Sequence, residues 1–238
     1  MSIIWTITKK ELRTYFNSPL GYIFIDLFLV FTSFFFFQSY FLYGQADMRG
    51  FFSLIPWVFL FLIPALTMRL WAEERKLGTV EILLTLPVKD HEVVLGKFFS
   101  TFLFLAVTLA CSLIVPLLVR YTGQADVGVI AASYLGTLLL GGAYVALGLW
   151  ISSYTDNQII AFIVSILVSF FFFIIGEVFI LQRLPDLLVP LFQNLGLGSH
   201  FSSISRGVID SRDILYYFSF IGLFLFLNVR AIAGRRFR

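Results

Sequence analysis

The chain has 238 residues and a formal net charge of +3, and 59% of its residues are apolar, 18% aromatic and 13% charged. A soluble domain averages roughly 45–50% apolar and about 25% charged residues. No water-soluble fold of this size can hide thirty Phe in one core and still cover it with so few polar groups, so the composition requires an integral membrane protein.

The opening stretch MSIIWTITKKELRTYFNSPLG lacks the short apolar core and small-residue site of a removable signal. Apolar Ile4, Ile7, Leu12, Tyr15 and Phe16 interleave with Lys9, Lys10 and Arg13 at helical spacing. This predicts an amphipathic helix over 1–19 lying in the headgroup layer, ended by Asn17, Ser18 and Pro19. Crossing ~30 Å of hydrocarbon takes about 20 helical residues. Runs near 20–43, 51–70, 97–119, 128–151, 158–181 and 214–233 meet that length, predicting six spans. Pro56 and Pro64 kink the second, and its weakness leaves five spans open.

The first span carries Asp26 near its inner end, and Phe34 to Phe37 cover every face of its helix. Between the second and third spans, Arg69 to Lys97 holds ten of the 31 Lys, Arg, Asp and Glu residues. Arg69 to Gly78 reads as a helix closed by a left-handed glycine. Thr79 caps a second helix with Glu81 in its first turn and Val80, Leu83 and Leu84 along one side; Pro87 ends it. Asp90 opens a third helix, with Glu92 in its first turn, that runs on into the third span. Orientation needs only Lys and Arg, yet five acids here equal five bases in number, as a surface for docking a soluble partner requires.

In the fourth span Ala132 and Gly136, then Gly142 and Ala146, stand four residues apart, a small-residue pattern read here as close packing within the chain in preference to a seam between subunits. The fifth has a second bulky run, Phe170 to Phe173, and an acid, Glu177, near its outer end, with Arg183 as one available partner. The connection 182–213 is half apolar but too short to span. It predicts re-entrant or interfacial helices, with Ser199 capping the second, Gly207 stopping it, and Asp210 with Asp213 opening the sixth span.

In the six-span arrangement twelve basic residues share a face with the termini and five fall opposite, which places the termini and the 71–96 loop in the cytoplasm. Cys111 stands alone, and His91 and His200 fall on opposite sides, so no disulfide or metal site is predicted. The Gly96–Lys97 pair lacks the hydroxyl residue and the upstream glycine of a nucleotide-binding loop, so the chain is read as non-catalytic.

The stretch AEERKLGTVEILLTLPVKDHEVVLGK, after a kinked second span and before four more, resembles the cytoplasmic loop of permease subunits of type-2 ABC transporters. LGLGSHFSSISRGVIDSRDILYYF resembles the last outer loop of the gliding-motility-type bacterial permeases, and the likeness covers essentially the whole chain. The resemblance implies one permease domain over 1–238, all-α, with six transmembrane helices, an amphipathic N-terminal interfacial helix, a cytoplasmic coupling helix and a re-entrant outer segment. It implies two separate ATPase subunits that bind the ATP and Mg, no cofactor on this chain, and a second permease, identical or homologous. Glu73, Glu74, Arg75, Gly78, Thr79 and Glu81 fall on its ATPase contact, with Leu83 and Leu84 holding the segment to the spans. Ser199, His200, Arg206 and Gly207 fall on its outer gate. The implied role is an exporter in the bacterial inner membrane, in contact with lipid, with no nucleic-acid partner and an accessory subunit left open. An ion-coupled carrier using Asp26 and Glu177, and a non-transporting scaffold, are the alternatives; the carrier predicts related halves, and no convincing repeat joins the first and last three spans.

Overall fold

The computed structural model describes residues 2–43, 48–80, 88–122 and 126–234, and all regular structure among them is helical. The first helices are α1 (Ile3–Asn17), α2 (Pro19–Tyr43), α3 (Arg49–Thr67) and α4 (Arg69–Lys76). Then come α5 (Asp90–Ser112), α6 (Ile114–Thr122), α7 (Val127–Ser152) and α8 (Gln158–Ile174). Short α9 (Val178–Leu181), α10 (Val189–Leu195) and α11 (Leu197–Ile204) precede α12 (Ser211–Ala233). Side chains start several of them: Asn157 accepts the Ile159 N–H at 2.9 Å, Asp126 that of Gly128 at 2.9 Å, and Asp210 that of Arg212 at 2.9 Å.

Among the described residues five runs are long and apolar enough to cross a bilayer: Pro19–Leu42, Arg49–Lys76, Asp90–Tyr121, Val127–Ser152 and Ser211–Ala233. The run expected over 158–181 is divided. Its helix α8 has 17 residues, and Ile175, Gly176 and Glu177 turn the chain before α9. The turn is held by a close backbone approach, since a Cβ on Gly196 would run into the backbone of Gly176. The second run is interrupted beyond its prolines. α3 stays one α-helix through Pro56 and Pro64, and the interruption falls at Met68, whose N–H reaches the Pro64 carbonyl at 2.9 Å.

The middle of the bundle is α7, with Ala143, Val145, Ala146, Leu147 and Leu149 fully buried. Its small residues are contact points within the chain, as the four-residue spacing predicted. Cβ positions on Gly136 and Gly142 would lie 2.8 Å from Ile204 and 3.0 Å from Phe102, and one on Gly148 would strike Thr67. Of the aromatic runs, Phe36 and Phe173 turn inward, onto Phe51 and Trp57, while Phe34, Phe35 and Phe171 are exposed.

The first helix is packed onto the bundle along one side. Its apolar side is occupied by protein: Ile7 sits over Gly96 so closely that a Cβ there would lie 2.6 Å from it, and Tyr15 is buried with its ring stacked on Phe104 at 4.9 Å. Lacking a side chain at Gly96, α5 lets α1 approach to van der Waals distance, and Ile7 and Tyr15 are packed there.

Candidate functional site

The elbow at the inner ends of the helices is built from backbone groups left over where α4 starts. The first amides of a helix have no partner within it. For α4 they are taken by Ser152, the last residue of α7, whose Oγ accepts the N–H groups of Trp71 and Ala72 at 3.2 Å each and donates to the Met68 carbonyl at 2.8 Å. One hydroxyl thereby fixes the angle between α3 and α4 and ties both to α7. Arg75 Nη1 adds a bond to the Ser153 carbonyl at 3.1 Å. At the other end Gly78 has φ +71°, the left-handed closure expected of it, with its N–H on the Arg75 carbonyl at 3.1 Å.

Behind the elbow lies a buried ammonium. Lys97, on α5, is 1% exposed. Its Nζ donates to the Leu70 carbonyl at 2.9 Å and to Glu74 Oε1 at 2.7 Å, stands 3.7 Å from Glu11 Oε1, and lies 4.8 Å from the Trp71 ring centroid. Three helices thus converge on one charge: α1 through Glu11, α4 through Leu70, Trp71 and Glu74, and α5 through Lys97 itself. A charge so far from water is tolerated only when paired and hydrogen-bonded, as here. Two further bonds weld α1 to α5: Thr8 Oγ1 to the Gly96 carbonyl at 3.2 Å, and Tyr15 Oη with Thr101 Oγ1 at 3.0 Å. Burial pushes the Tyr15 phenol up to about 12, against the opposing pull of the Thr101 bond and of Arg69, whose guanidinium lies 4.9 Å from the ring centroid.

The predicted contact residues therefore part into two sets. Glu73, Gly78 and Thr79 are exposed, beside Lys76 and Leu77. Glu74 and Arg75 turn inward and hold the elbow. Thr79 Oγ1 donates back to the Glu74 carbonyl at 3.1 Å, and Thr79 and Val80 are already helical. Glu81, Leu83, Leu84 and Pro87 lie outside the described residues. Asp90 does open α5, where the Glu92 carboxylate accepts the Lys89 N–H at 2.9 Å. Sequence reasoning missed Lys97 and Ser152. A lone lysine one turn inside an apolar run is the available signal for the first, but its partners are 23 and 86 residues away along the chain.

At the opposite end a cavity of about 660 Å³ brings Glu177 together with Ser199, His200 and Arg206, which the resemblance placed on the outer gate. α11 closes over it and is held to α12 by side chains. His200 Nδ1 meets Asp213 Oδ1 at 2.6 Å and Nε2 meets the Asn194 carbonyl at 3.2 Å. A carbonyl only accepts, so the Nε2 contact is donated by the ring. Tyr216 stacks on the imidazole at 4.0 Å and donates to the Leu195 carbonyl at 2.6 Å, and Tyr217 donates to that of Leu197 at 2.9 Å. Gly207, φ +88°, ends the segment against Val129.

Three expectations are corrected here. The cap of α11 is Gly196, while Ser199 lies inside the helix and donates to the Gln193 and Gly196 carbonyls at 2.6 and 2.8 Å. Asp210 alone caps α12, because Asp213 is engaged with His200. Glu177 lies against Gly198, whose Cβ would be 2.6 Å from Oε1, and no ion pair joins it to Arg183 among the described residues. Asp26 faces outward from α2, between exposed Ile23 and Leu27, and is not brought near this cavity by any contact of the described residues.

The apolar helices, elbow and capped outer segment define a multi-pass α-helical membrane protein. Residues 5–195 match the family described as ABC-2 family transporter protein, and the chain belongs to that family, whose members are membrane permease components of ABC transporters. No curated protein matches the chain.

Proposed function

We propose that this chain is the membrane half of an ATP-driven exporter, in which the exposed end of α4, with Glu73, Gly78 and Thr79, receives a separate ATPase subunit. Glu81, Leu83 and Leu84 are assigned to the same contact by the family resemblance alone. The observation that carries the reading is the Lys97 centre: a push on α4 reaches α5 and α1 through one buried, fully directed charge, and reaches α7 through Ser152. Force enters a bundle through an element with few internal degrees of freedom, and α4 is fixed at its start, its middle and its end. Two ATPase subunits holding ATP and Mg, and a second permease, complete the transporter. α8 serves as a sixth, short crossing, the termini lie in the cytoplasm of a bacterial inner membrane, and the outer segment is of the gliding-motility type that its sequence resembles. The cavity under α11 is the outer gate.

Purification from native membranes tests the reading. An ATPase subunit travels with the chain, and Glu73→Lys with Leu77→Asp releases it while the helical bundle stays intact by circular dichroism. An ATPase retained by that pair of substitutions removes α4 as the docking element.

A further inference from the structure

The face of α1 turned away from α5 is left with no protein partner among the described residues, and it is strongly basic. Lys9, Lys10 and Arg13 line a groove of about 390 Å³ together with Trp5, Thr6 and Asn17. The single acid of α1, Glu11, is turned the other way, toward Lys97 at 3.7 Å. Lys9 and Arg13 point outward, Lys10 stands between this groove and the cleft lined by Glu11, Glu73 and Glu74, no carboxylate lies in the groove itself, and none of the three cations takes part in an ion pair among the described residues.

Position decides which anion this face meets. The groove ends at Asn17, two residues before α2 begins, and the first turn of α2 exposes Leu20, Tyr22 and Ile23 by half or more. That apolar surface is continuous with the bilayer-facing side of a helix long enough to cross it. Trp5, half exposed at the far end of the groove, is a side chain of the membrane–water boundary. The apolar side of α1 is already spent on α5, so this helix meets the membrane through charge. Arg13 offers a planar fork for two phosphate oxygens, and the lysines add point charges.

We propose that the outer face of α1, with Trp5, Lys9, Lys10 and Arg13, is a binding site for the phosphate headgroup of an anionic phospholipid. The inference rests on the proposed cytoplasmic placement of α1. Bound there, the lipid holds α1 at the membrane surface while its other side grips the Lys97 centre, so that the elbow moves against a fixed reference.

The test uses the full chain alone, in micelles with equal phosphatidylglycerol and phosphatidylcholine, with retained lipid counted by native mass spectrometry. Phosphatidylglycerol is expected in excess, and Lys9→Gln, Lys10→Gln and Arg13→Gln together lower the excess, by up to about fivefold for each cation removed at low ionic strength. Lys76→Gln, outside the groove, leaves it unchanged. An excess that survives the triple substitution overturns the proposal. So does displacement of the lipid by equimolar glycerol 3-phosphate, which would make the site one for soluble phosphate. In a separate pull-down, release of an ATPase by the triple variant with the lipid excess intact assigns the face to protein docking and also overturns it. Since no ATPase enters the lipid measurement, failure of the docking surface on α4 leaves the lipid result standing.

Discussion

Replacing Lys97 by Met removes the charge and keeps the length of the side chain. The Leu70 carbonyl loses a charged donor at 2.9 Å, a loss of about 1.5–3 kcal/mol. The Glu74 side chain is 23% exposed, so its carboxylate turns toward water and the lost pair contributes only ~1 kcal/mol. Loss of the cation over Trp71 adds ~0.5–1 kcal/mol, and the apolar Met recovers part of the total by packing in the same space. The net destabilisation is about 3 kcal/mol, a fall of roughly 6–12 °C in apparent melting temperature for a chain of this size. Thermal unfolding of the purified protein in detergent measures it, and Glu74→Gln supplies the cycle. Removing the Glu74 charge costs ~1 kcal/mol when Lys97 is present and close to nothing when Met replaces it. Equal effects of Glu74→Gln in both backgrounds would refute the view that α4 is held to α5 through this pair.

Other substitutions probe the remaining joints. Gly96→Ala places a Cβ 2.6 Å from Ile7, forces α1 off α5 at a cost of about 1–3 kcal/mol, and speeds tryptic cleavage at Lys9, Lys10 and Arg13. Ser152→Ala strips the acceptor from two buried amides and the donor from the Met68 carbonyl, a loss of about 2–3 kcal/mol; hydrogen exchange at Trp71 and Ala72 accelerates while that of α12 is unchanged. His200→Ala breaks the bond to Asp213 and the stack on Tyr216, and exchange in α10 and α11 rises by about tenfold, matching a local loss near 1.4 kcal/mol; unchanged exchange there would mean that α11 is held by its packing on α7 alone.

Much of the membrane character was legible because it follows from composition and run length. Five of the six predicted runs appear as long apolar helices, and Gly78, Asp90, Asp210 and Gly207 act as the punctuation that their residue types suggest. These are local properties, set by backbone conformation and by amides within a turn or two. What the sequence left open has a different cause. Glu74 and Glu73 are adjacent and chemically alike, yet one faces solvent and the other a buried ammonium, because the helix turns by about 100° per residue and only the position of α5 says which side is inside.

The sequence by itself determined that the chain is a helical membrane protein, where its long helices lie, and that a charged elbow follows the second long apolar run. Only the tertiary structure decided what that elbow grips: Lys97 meets Glu11 and Glu74 across three helices, and α1 turns its apolar side to α5 and its cations outward. The physical reason is that a desolvated charge must find its partner wherever the fold brings one, at a distance along the chain that no local pattern records.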